Sequence, residues 1–264
     1  MRTTYRSATN KQYWTDRWAG ISADGAVEHL DGYPLKYAEL AMTSGRGRIL
    51  EAGCGAGRVL RYYHDRGHEI IGMDFIELAI EKLKQADASL RVVVGDITNL
   101  EFPDEHFRYV FAFGLYHNLE HGLDKAIAET HRVLEKGGRV CASFRADNVQ
   151  TRLTDWLARV RAKRPAGRGK GLHFHKLNLT RSEFVAAFSK AGFQVEQVFP
   201  VENMPIFYKF ALFRAASHKV FNENLARKEG YRLSWLGNLL QSMLMWLAPD
   251  QFCNIYVLIA QKCS

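Results

Sequence analysis

The chain has 264 residues, of which 47% are hydrophobic and 24% charged, the balance of a globular protein with room for one sizeable domain. Its four cysteines form no CxxC pair and have no histidine at zinc-ligand spacing, so no disulfide framework or structural zinc site is predicted and a reducing, cytoplasmic location is expected. Residues 1–14 contain no apolar run, so no signal peptide is predicted, and no stretch reaches the roughly 18 apolar residues of a membrane span.

The net charge of +8 is concentrated in one region of the chain. Residues 145–176 contain two acids, Asp147 and Asp155, and nine basic side chains: Arg145, Arg152, Arg159, Arg161, Lys163, Arg164, Arg168, Lys170 and Lys176. An anionic partner would be attracted here, although a solvated basic loop has the same composition. Peripheral contact between residues 159–170 and an anionic membrane is therefore one hypothesis.

Residues 1–45 are predicted to be mostly helical, and strands and helices then alternate as far as residue 144. The predicted strands cover residues 48–52, 69–74, 91–94, 109–113 and 139–144. The predicted helices between them cover residues 59–66, 76–86 and 125–134, the last stopped by Gly137 and Gly138. Alternation with short links predicts a parallel sheet with helices on both faces.

The second part of the chain is less regular. A helix over 181–191, a strand over 193–199 and a final strand over 254–260 are predicted, with a markedly apolar stretch between the last two. The predicted organisation is a single domain over 1–264. It comprises a helical cap over 1–45, a ligand-binding core over 45–200, a basic insertion over 145–180, an apolar helical lid over 200–252 and a final strand over 253–261.

The strongest motif is Glu51-Ala52-Gly53-Cys54-Gly55-Ala56-Gly57, placed between a predicted strand and a predicted helix. Glycines allow the sharp turn and close ligand approach that such a position needs. Asp74 ends the next strand, where a carboxylate can accept hydrogen bonds from both ribose hydroxyls. Asp96 and Ile97 follow the third strand, where they could hold an adenine. Ligands of open α/β sheets bind at the carboxyl ends of the strands, so these residues should converge on one crevice.

A dinucleotide site is the main alternative for this motif. Its GxGxxG fingerprint requires a third glycine where this chain has Arg58, and Glu51 would repel a pyrophosphate but could pair with an ammonium group. Purely structural roles also remain open: Glu51 could cap local amides, Asp74 could cap the next helix, and Asp96 could be a turn residue.

Residues 49–57, 72–74, 95–97, 100–103 and 132–138 resemble the class I S-adenosylmethionine-dependent methyltransferases, in the methyltransferase type 11-like, small-molecule branch that includes quinone-biosynthesis enzymes. The resemblance implies a Rossmann-like doubly wound sheet of about seven strands with the last strand antiparallel. It also implies S-adenosylmethionine as cofactor and S-adenosylhomocysteine as product. The family often has Asp at the position of Arg108, an acid that is usually peripheral.

By this resemblance, a set of residues is expected to bind the cofactor: Glu51, Gly53, Cys54, Gly55, Gly57, Asp74, Phe75, Asp96, Ile97, Phe113 and Gly114. Tyr13 and Trp14 are expected to close over it from the N-terminal helix, with ordinary core packing as the alternative.

The two insertions are expected to form the acceptor site, because the fifth and sixth strands should end, and the last strand begin, at the cofactor edge. The candidate acceptor-binding residues are Tyr116, His173, His175, Phe207 and Tyr208. In the apolar lid, a helix has Leu236, Leu239, Leu240, Met243, Leu244 and Leu247 on one face. This face could pack on its own domain, line a hydrophobic acceptor pocket, or contact a second copy or a membrane.

Methyl transfer is an in-line displacement at an activated carbon, so positioning supplies most of the catalysis. A general base is needed only when the acceptor carries a proton, and His117 is the candidate, with a structural histidine as the alternative. His173 and His175 alternate like a metal pair but have no third ligand, so no metal site is predicted.

The sequence thus favours methyl transfer to a small, partly hydrophobic acceptor. The alternatives are an RNA or protein acceptor, an NAD-linked oxidoreductase and a non-catalytic cofactor-binding scaffold. Basic and aromatic residues are not interleaved as on a strand-binding face, so no nucleic acid partner is expected. A homodimer is one option for the oligomeric state.

Overall fold

The computed structural model describes residues 1–21, 23, 31–43, 45–161, 171–220 and 230–263. Most of the segment 159–170, the hypothesised membrane contact, therefore lies outside the described residues. Within them, none of the helices combines the length and apolar character that a membrane crossing requires.

The main sheet is formed by β2 Ile49–Ala52, β3 Ile70–Asp74, β4 Val92–Val94, β5 Phe107–Ala112, β6 Leu134–Arg145, β8 Phe193–Val201 and β9 Ile255–Lys262. Its seven strands lie in the order β4-β3-β2-β5-β6-β9-β8. Strands β2 to β6 are parallel to one another, whereas β9 is antiparallel to both β6 and β8. This arrangement confirms the predicted Rossmann-like sheet with an antiparallel last strand.

The described helices are α1 Asn10–Ala19, α2 Leu35–Ala41, α3 Arg58–His64, α4 Glu77–Ala86, α5 Leu123–Val133, α6 Val149–Arg161, α7 Arg181–Lys190, α8 Trp235–Leu247 and α9 Pro249–Phe252. Short 3-10 helices cover Tyr116–Asn118, Ile206–Lys209, Ala211–Phe213 and Ala216–His218.

Hydrophobic side chains cover both faces of the sheet. Successive strand residues point to opposite faces. Tyr109 and Phe111 of β5 therefore join one core cluster, and Val110 and Ala112 join the other. Each fully buried large apolar side chain contributes roughly 1.5–3 kcal/mol, so the two clusters hold the strand ends in fixed positions.

The N-terminal cap is not wholly helical, which corrects the prediction for residues 1–45. A strand β1, Arg2–Arg6, pairs antiparallel with β7, His173–Asn178, and the two form a small separate sheet. The β-forming residues Thr3, Thr4 and Tyr5 suit a strand, but their partner is remote in the chain, so local periodicity did not reveal it.

Gly137 and Gly138 do not stop the preceding helix, which is a second correction. Helix α5 ends at Val133, and β6 begins at Leu134. Gly137, with φ 71°, lies where the pairing of β5 and β6 is irregular. The glycines therefore form an irregularity within the strand.

The basic insertion contains regular structure in its described residues, 145–161 and 171–180, where a loop was one expectation. It contains α6 and β7, and both of its acids form ion pairs: Asp147 with Arg2 at 2.6 Å and Asp155 with Arg145 at 2.6 Å.

Ile255, the first residue of β9, pairs with Arg145 at the end of β6 and with Val201 at the end of β8. Both insertions therefore start at the carboxyl edge of the parallel strands, as the topology argument predicted.

Candidate active site

A cleft of about 1290 Å³ runs along this carboxyl edge. One part, the glycine half, is lined by Glu51, Gly53, Cys54, Asp74, Phe75, Asp96 and Ile97 together with Tyr13 and Trp14. The other part, the basic half, is lined by His117, Ser143, Arg145, Gln150, Thr151, Thr154 and Lys176. Phe113 and Gly114 lie just after β5 and also line the cleft.

Residues 53–57, which we call the glycine turn, are hydrogen-bonded to the end of β3. The amides of Gly53 and Cys54 both donate to the Met73 carbonyl, at 2.7 and 2.9 Å. Gly55 and Gly57 have φ of 52° and 72°, a region that favours glycine. The turn therefore depends on glycine for its backbone conformation.

Gly55 and Gly57 are not among the residues that line the cleft, although both were expected to touch the cofactor. A Cβ on Gly55 would lie 2.4 Å from Cζ2 of Trp18, and a Cβ on Gly57 would lie 2.4 Å from Cδ2 of Leu83. Both glycines therefore allow close packing behind the turn.

Asp74 ends β3 and faces the cleft while remaining only 8% exposed. Its Oδ2 accepts from the Gly55 amide at 2.8 Å and its Oδ1 accepts from the Ile76 amide at 2.9 Å. Burial raises the pKa of this carboxyl, and the backbone amides oppose the shift. Each oxygen keeps a further lone pair, so Asp74 both braces the turn and can accept from ligand hydroxyls.

Glu51 in β2 has a buried carboxylate oxygen, Oε2, without a hydrogen-bond partner in the described structure. The residue is 5% exposed, and burial raises its pKa to about 8, with the charge of Arg58 acting in the opposite direction. A buried carboxyl without a full set of partners is costly. It therefore fits a cationic ligand group entering the cleft.

Phe75 and Ile97 provide apolar surface in the glycine half. Phe75 is 54% exposed, and Nζ of Lys11 lies 5.7 Å from the centroid of its ring, whereas Ile97 is buried. Asp96 is exposed and its Oδ1 accepts from the Thr98 amide at 2.8 Å, so it also acts as a turn residue. A flat aromatic base would fit between these side chains.

Helix α1 covers the glycine half with three aromatic residues. Tyr13 and Trp14 line the cleft, and Trp18 stacks on Trp14 with ring centroids 5.5 Å apart. Trp18 also lines the cleft, although the sequence analysis did not name it as a site residue. Its position one helical turn after Trp14 was the available signal.

His117 lies in the 3-10 helix after β5 and faces the basic half. It is 7% exposed, and its Nδ1 has no hydrogen-bond partner in the described part of the chain. Burial lowers its pKa well below the usual value, and the charges of Lys176 and Arg145 act in the same direction. The ring is therefore neutral at physiological pH and offers a polar nitrogen to the cleft.

The wall of the basic half comes from elements that are distant in sequence. Arg145 at the end of β6 donates to Asn178 Oδ1 at 2.6 Å and forms the ion pair with Asp155. Gln150, buried in the first turn of α6, has an Oε1 with no partner in the described structure. Lys176 comes from β7. No contiguous motif joins these residues, so sequence reasoning did not group them as a site.

Three of the proposed acceptor-binding residues lie in packed clusters. Tyr116 is fully buried and shares a hydrogen bond of 2.7 Å with Thr130 Oγ1. Phe207 and Tyr208 pack in a separate hydrophobic cluster, where the Tyr208 hydroxyl meets His218 Nδ1 at 2.8 Å. None of the three lines the cleft, so the structure does not bring them to the candidate site.

The histidines of β7 are also outside the cleft lining. His173 is exposed beside Arg6, and Nδ1 of His175 lies 3.5 Å from Thr4 Oγ1. Burial lowers the pKa of His175 to about 2. Among the residues that the structure describes, no group of three or more metal-ligating side chains could hold a metal ion.

Residues 49–138 match a family model described as a methyltransferase domain. A probable S-adenosylmethionine-dependent methyltransferase of Mycolicibacterium smegmatis is 28% identical over 64% of this chain and 60% of its own length. A malonyl-[acyl-carrier protein] O-methyltransferase of Pectobacterium atrosepticum is 26% identical over 45% of this chain and 51% of its own length. An S-adenosyl-L-methionine-dependent Diels-Alderase of Talaromyces variabilis is 26% identical over 56% of this chain and 54% of its own length. The chain thus spans less than two thirds of the length of these relatives.

The similarity in fold extends beyond residues 49–138. The crystal structure of an S-adenosylmethionine-dependent methyltransferase from Methanosarcina mazei has a TM-score of 0.58 and 18% identity, covering 89% of this chain and 99% of that chain. The matched segment contains the glycine turn, Glu51, Asp74 and Asp96, which belong to the glycine half of the cleft. Over residues 49–138 the chain is thus similar to S-adenosylmethionine-dependent methyltransferases, and its sheet has the Rossmann-like fold of such proteins.

Proposed function

We propose that this protein transfers the methyl group of S-adenosylmethionine to a small, partly apolar acceptor that also carries an anionic group. The observation that carries the proposal is that the glycine half and the basic half form one continuous cleft of about 1290 Å³. Pockets for single ligands usually measure roughly 300–1,000 Å³. This cleft therefore has room for a cofactor and an acceptor side by side.

In the glycine half, the side chains match the charged and polar groups of the cofactor. The unpartnered Oε2 of Glu51 would accept from the ammonium of the methionine part, and Asp74 would accept from the ribose hydroxyls. Phe75 and Ile97 would enclose the adenine. When bound, the cofactor supplies an activated sulfonium methyl group; the residues hold and orient it.

In the basic half, Arg145 and Lys176 would attract an anionic group of the acceptor. Tyr33 and Phe113, with ring centroids 5.6 Å apart, would contact its apolar part. A relative is named for O-methylation of malonyl-[acyl-carrier protein], whose malonyl group has a carboxylate; this name supports the anionic group of the acceptor but not its small size.

His117 would position the acceptor by a hydrogen bond. Its lowered pKa makes it a weak base. An in-line displacement at an activated methyl group needs mainly alignment and exclusion of water. We therefore assign it a positioning role.

The test is transfer of labelled methyl groups from S-adenosylmethionine into a cell extract separated into acidic, neutral, lipid and macromolecular fractions. Transfer itself must be measured, because one relative is named as an S-adenosylmethionine-dependent Diels-Alderase. We expect label in the acidic small-molecule fraction. Label confined to RNA or protein, or cofactor binding without any transfer, would refute the proposal.

A pair of lysine variants tests the acceptor site separately. Lys176→Met should reduce transfer about tenfold and leave cofactor affinity unchanged, since a charge-assisted contact contributes about 1.5–3 kcal/mol. The matched control is Lys190→Met, because Lys190 is 73% exposed on α7 and paired with Asp124. Equal transfer by both variants would contradict an anionic acceptor at Lys176.

A further inference from the structure

Helix α6 has its polar side buried and its apolar side exposed. Gln150, Thr151 and Thr154 are 2–6% exposed and line the cleft. The exposed side carries Val149, Leu153, Trp156 and Val160, with 51, 41, 50 and 56% exposure. At about 100° per residue these four fall on one narrow stripe. A helix on the surface of a globular protein normally has the opposite arrangement.

Helix α8 shows the same reversal. Its buried residues are Gly237 and Gln241. Its exposed large apolar residues are Trp235, Leu236, Leu239, Met243, Trp246 and Leu247, and Trp235 and Trp246 reach 77 and 82% exposure. These six lie within an arc of about 120°. The predicted helix is thus present, but a broad apolar face points away from its own domain.

The two helices meet at α9. The Val149 amide donates to Gln251 Oε1 at 3.4 Å, and α8 leads directly into α9 through Ala248. Thr154 of α6 and Asn238 of α8 both line the cleft. The exposed apolar residues of α6 and α8, which we call the α6–α8 surface, therefore lie on two helices that both line the cleft and both contact α9.

We propose that the α6–α8 surface docks onto the surface of an anionic lipid bilayer. Tryptophan favours the interfacial zone of a bilayer, and Trp235 and Trp246 stand near the two ends of α8. Helix α8 has no charged residue, and the one acid of α6, Asp155, is paired with Arg145. Nothing on the two helices would repel anionic head groups.

Positive charge accompanies this surface. Arg159 is exposed on α6 beside the apolar stripe, as is Arg152, which is paired with Asp147 at 2.9 Å. The sequence over 159–170 has six basic residues and no acid. Basic residues next to an apolar helix face add about 1 kcal/mol each to binding of an anionic bilayer. The charge and the apolar area therefore favour the same partner.

A second copy of the chain is the other apolar partner to consider. A two-fold interface would place the same surface of both copies together and bring the exposed Arg159 of each copy into one interface. Like charges oppose that association, whereas anionic lipids neutralise them. The charge pattern thus favours the bilayer.

The experiment is co-sedimentation of the full chain with phosphatidylcholine vesicles, with or without about 30% phosphatidylglycerol, at low salt. We expect at least about tenfold stronger partitioning onto the anionic vesicles, a blue shift of tryptophan fluorescence, and weakening by added salt. Docking does not depend on methyl transfer, so this test stands apart from the proposed reaction.

Surface variants identify the residues that bind. Replacing both Trp235→Ser and Trp246→Ser should lower partitioning about tenfold, whereas Leu40→Ser, at a residue 43% exposed on α2, should leave it unchanged. Arg159→Glu should weaken binding more than Lys84→Glu, which makes the same charge change at an exposed position on α4. Absence of binding to anionic vesicles, or binding unaffected by the tryptophan changes, would overturn the proposal. So would a dimer that dissociates in the tryptophan variant and shows no vesicle binding.

Discussion

In the glycine half of the cleft, the key side chains come from the ends of three neighbouring strands, β2, β3 and β4. In the basic half they come from β6, α6 and β7, with His117 from the segment after β5. The first set lies within residues 51–97 and is braced by backbone hydrogen bonds. The second set depends on long-range packing. The difference predicts that changes in the glycine half alter cofactor affinity, and that changes in the basic half alter transfer alone.

Asp74→Ala should produce the largest effect on the glycine half. It would remove the proposed hydrogen bonds to the ribose, and it leaves the Gly55 amide without its acceptor. We expect about a hundredfold loss of S-adenosylmethionine affinity, or about 2.7 kcal/mol, measured by titration calorimetry. Asp124→Ala, at a residue 73% exposed on α5, is the control. A change of less than threefold in affinity would show that Asp74 does not contribute to cofactor binding.

Gly55→Ala tests whether the turn requires close packing against α1. The new Cβ would meet Trp18 at 2.4 Å and the new residue would have to adopt φ of 52°, so we expect a loss of about 2 kcal/mol in the free energy of unfolding. Gly67→Ala provides the control, because Gly67 has φ of 72° and no atom within 4 Å of the new Cβ. If the two variants unfold alike, the contact with Trp18 is unimportant.

Comparing the pH dependence of cofactor affinity in the wild type and in Glu51→Gln tests whether Glu51 binds the ammonium group. Because the pKa of Glu51 is about 8, its carboxyl is mostly protonated in the free protein at neutral pH. A cationic ligand favours the ionised form. The affinity of the wild type, divided by that of the Glu51→Gln variant, should therefore rise about tenfold between about pH 6 and pH 8. A ratio independent of pH would contradict an ion pair at Glu51.

The same variant should change the pH dependence of stability in the ligand-free protein. The folded pKa of about 8 exceeds the ordinary value of 4.5, so between these values the folded state holds a proton that the unfolded chain has lost. Glu51 therefore lowers stability as pH rises toward 8. Thermal melts should show Glu51→Gln more stable than wild type at pH 8, with a smaller difference at acidic pH.

His117→Asn should have the smallest effect, confined to the basic half. Loss of one neutral hydrogen bond costs about 0.5–1.5 kcal/mol, so transfer should fall about fivefold while cofactor affinity is retained. Since the pKa of His117 is well below its usual value, the pH profile of transfer should not change above pH 6. A fall of more than a hundredfold in kcat would instead indicate a general base.

The contrast between the glycine half and the basic half also explains which residues of the site could be predicted from sequence. The glycine motif, Asp74 and Asp96 follow strands that have clear periodicity, and parallel topology brings strand ends together. The order of elements from β2 to β6 was therefore accessible, whereas the antiparallel β9 was implied by the resemblance to the methyltransferase family. The packing of Trp18 against Gly55 and of Leu83 against Gly57 was not accessible from sequence, because these are tertiary contacts.

The basic half was less accessible. Gln150 and Thr151 have no motif, and they reach the cleft because α6 buries its polar side. Tyr116 and Tyr208 were expected at the acceptor, but their hydroxyls find partners in Thr130 and His218, which lets both rings pack inside. Strand β1 was missed since its pairing partner β7 is remote in sequence.

Calorimetric titration of the wild-type protein with S-adenosylmethionine, with NAD as the comparison ligand, tests the central claim most directly. The cleft geometry predicts saturable binding of one S-adenosylmethionine per chain and no binding of NAD, because Glu51 faces the position that a pyrophosphate would need. Saturable binding of NAD, or no heat of binding with S-adenosylmethionine, would contradict the account.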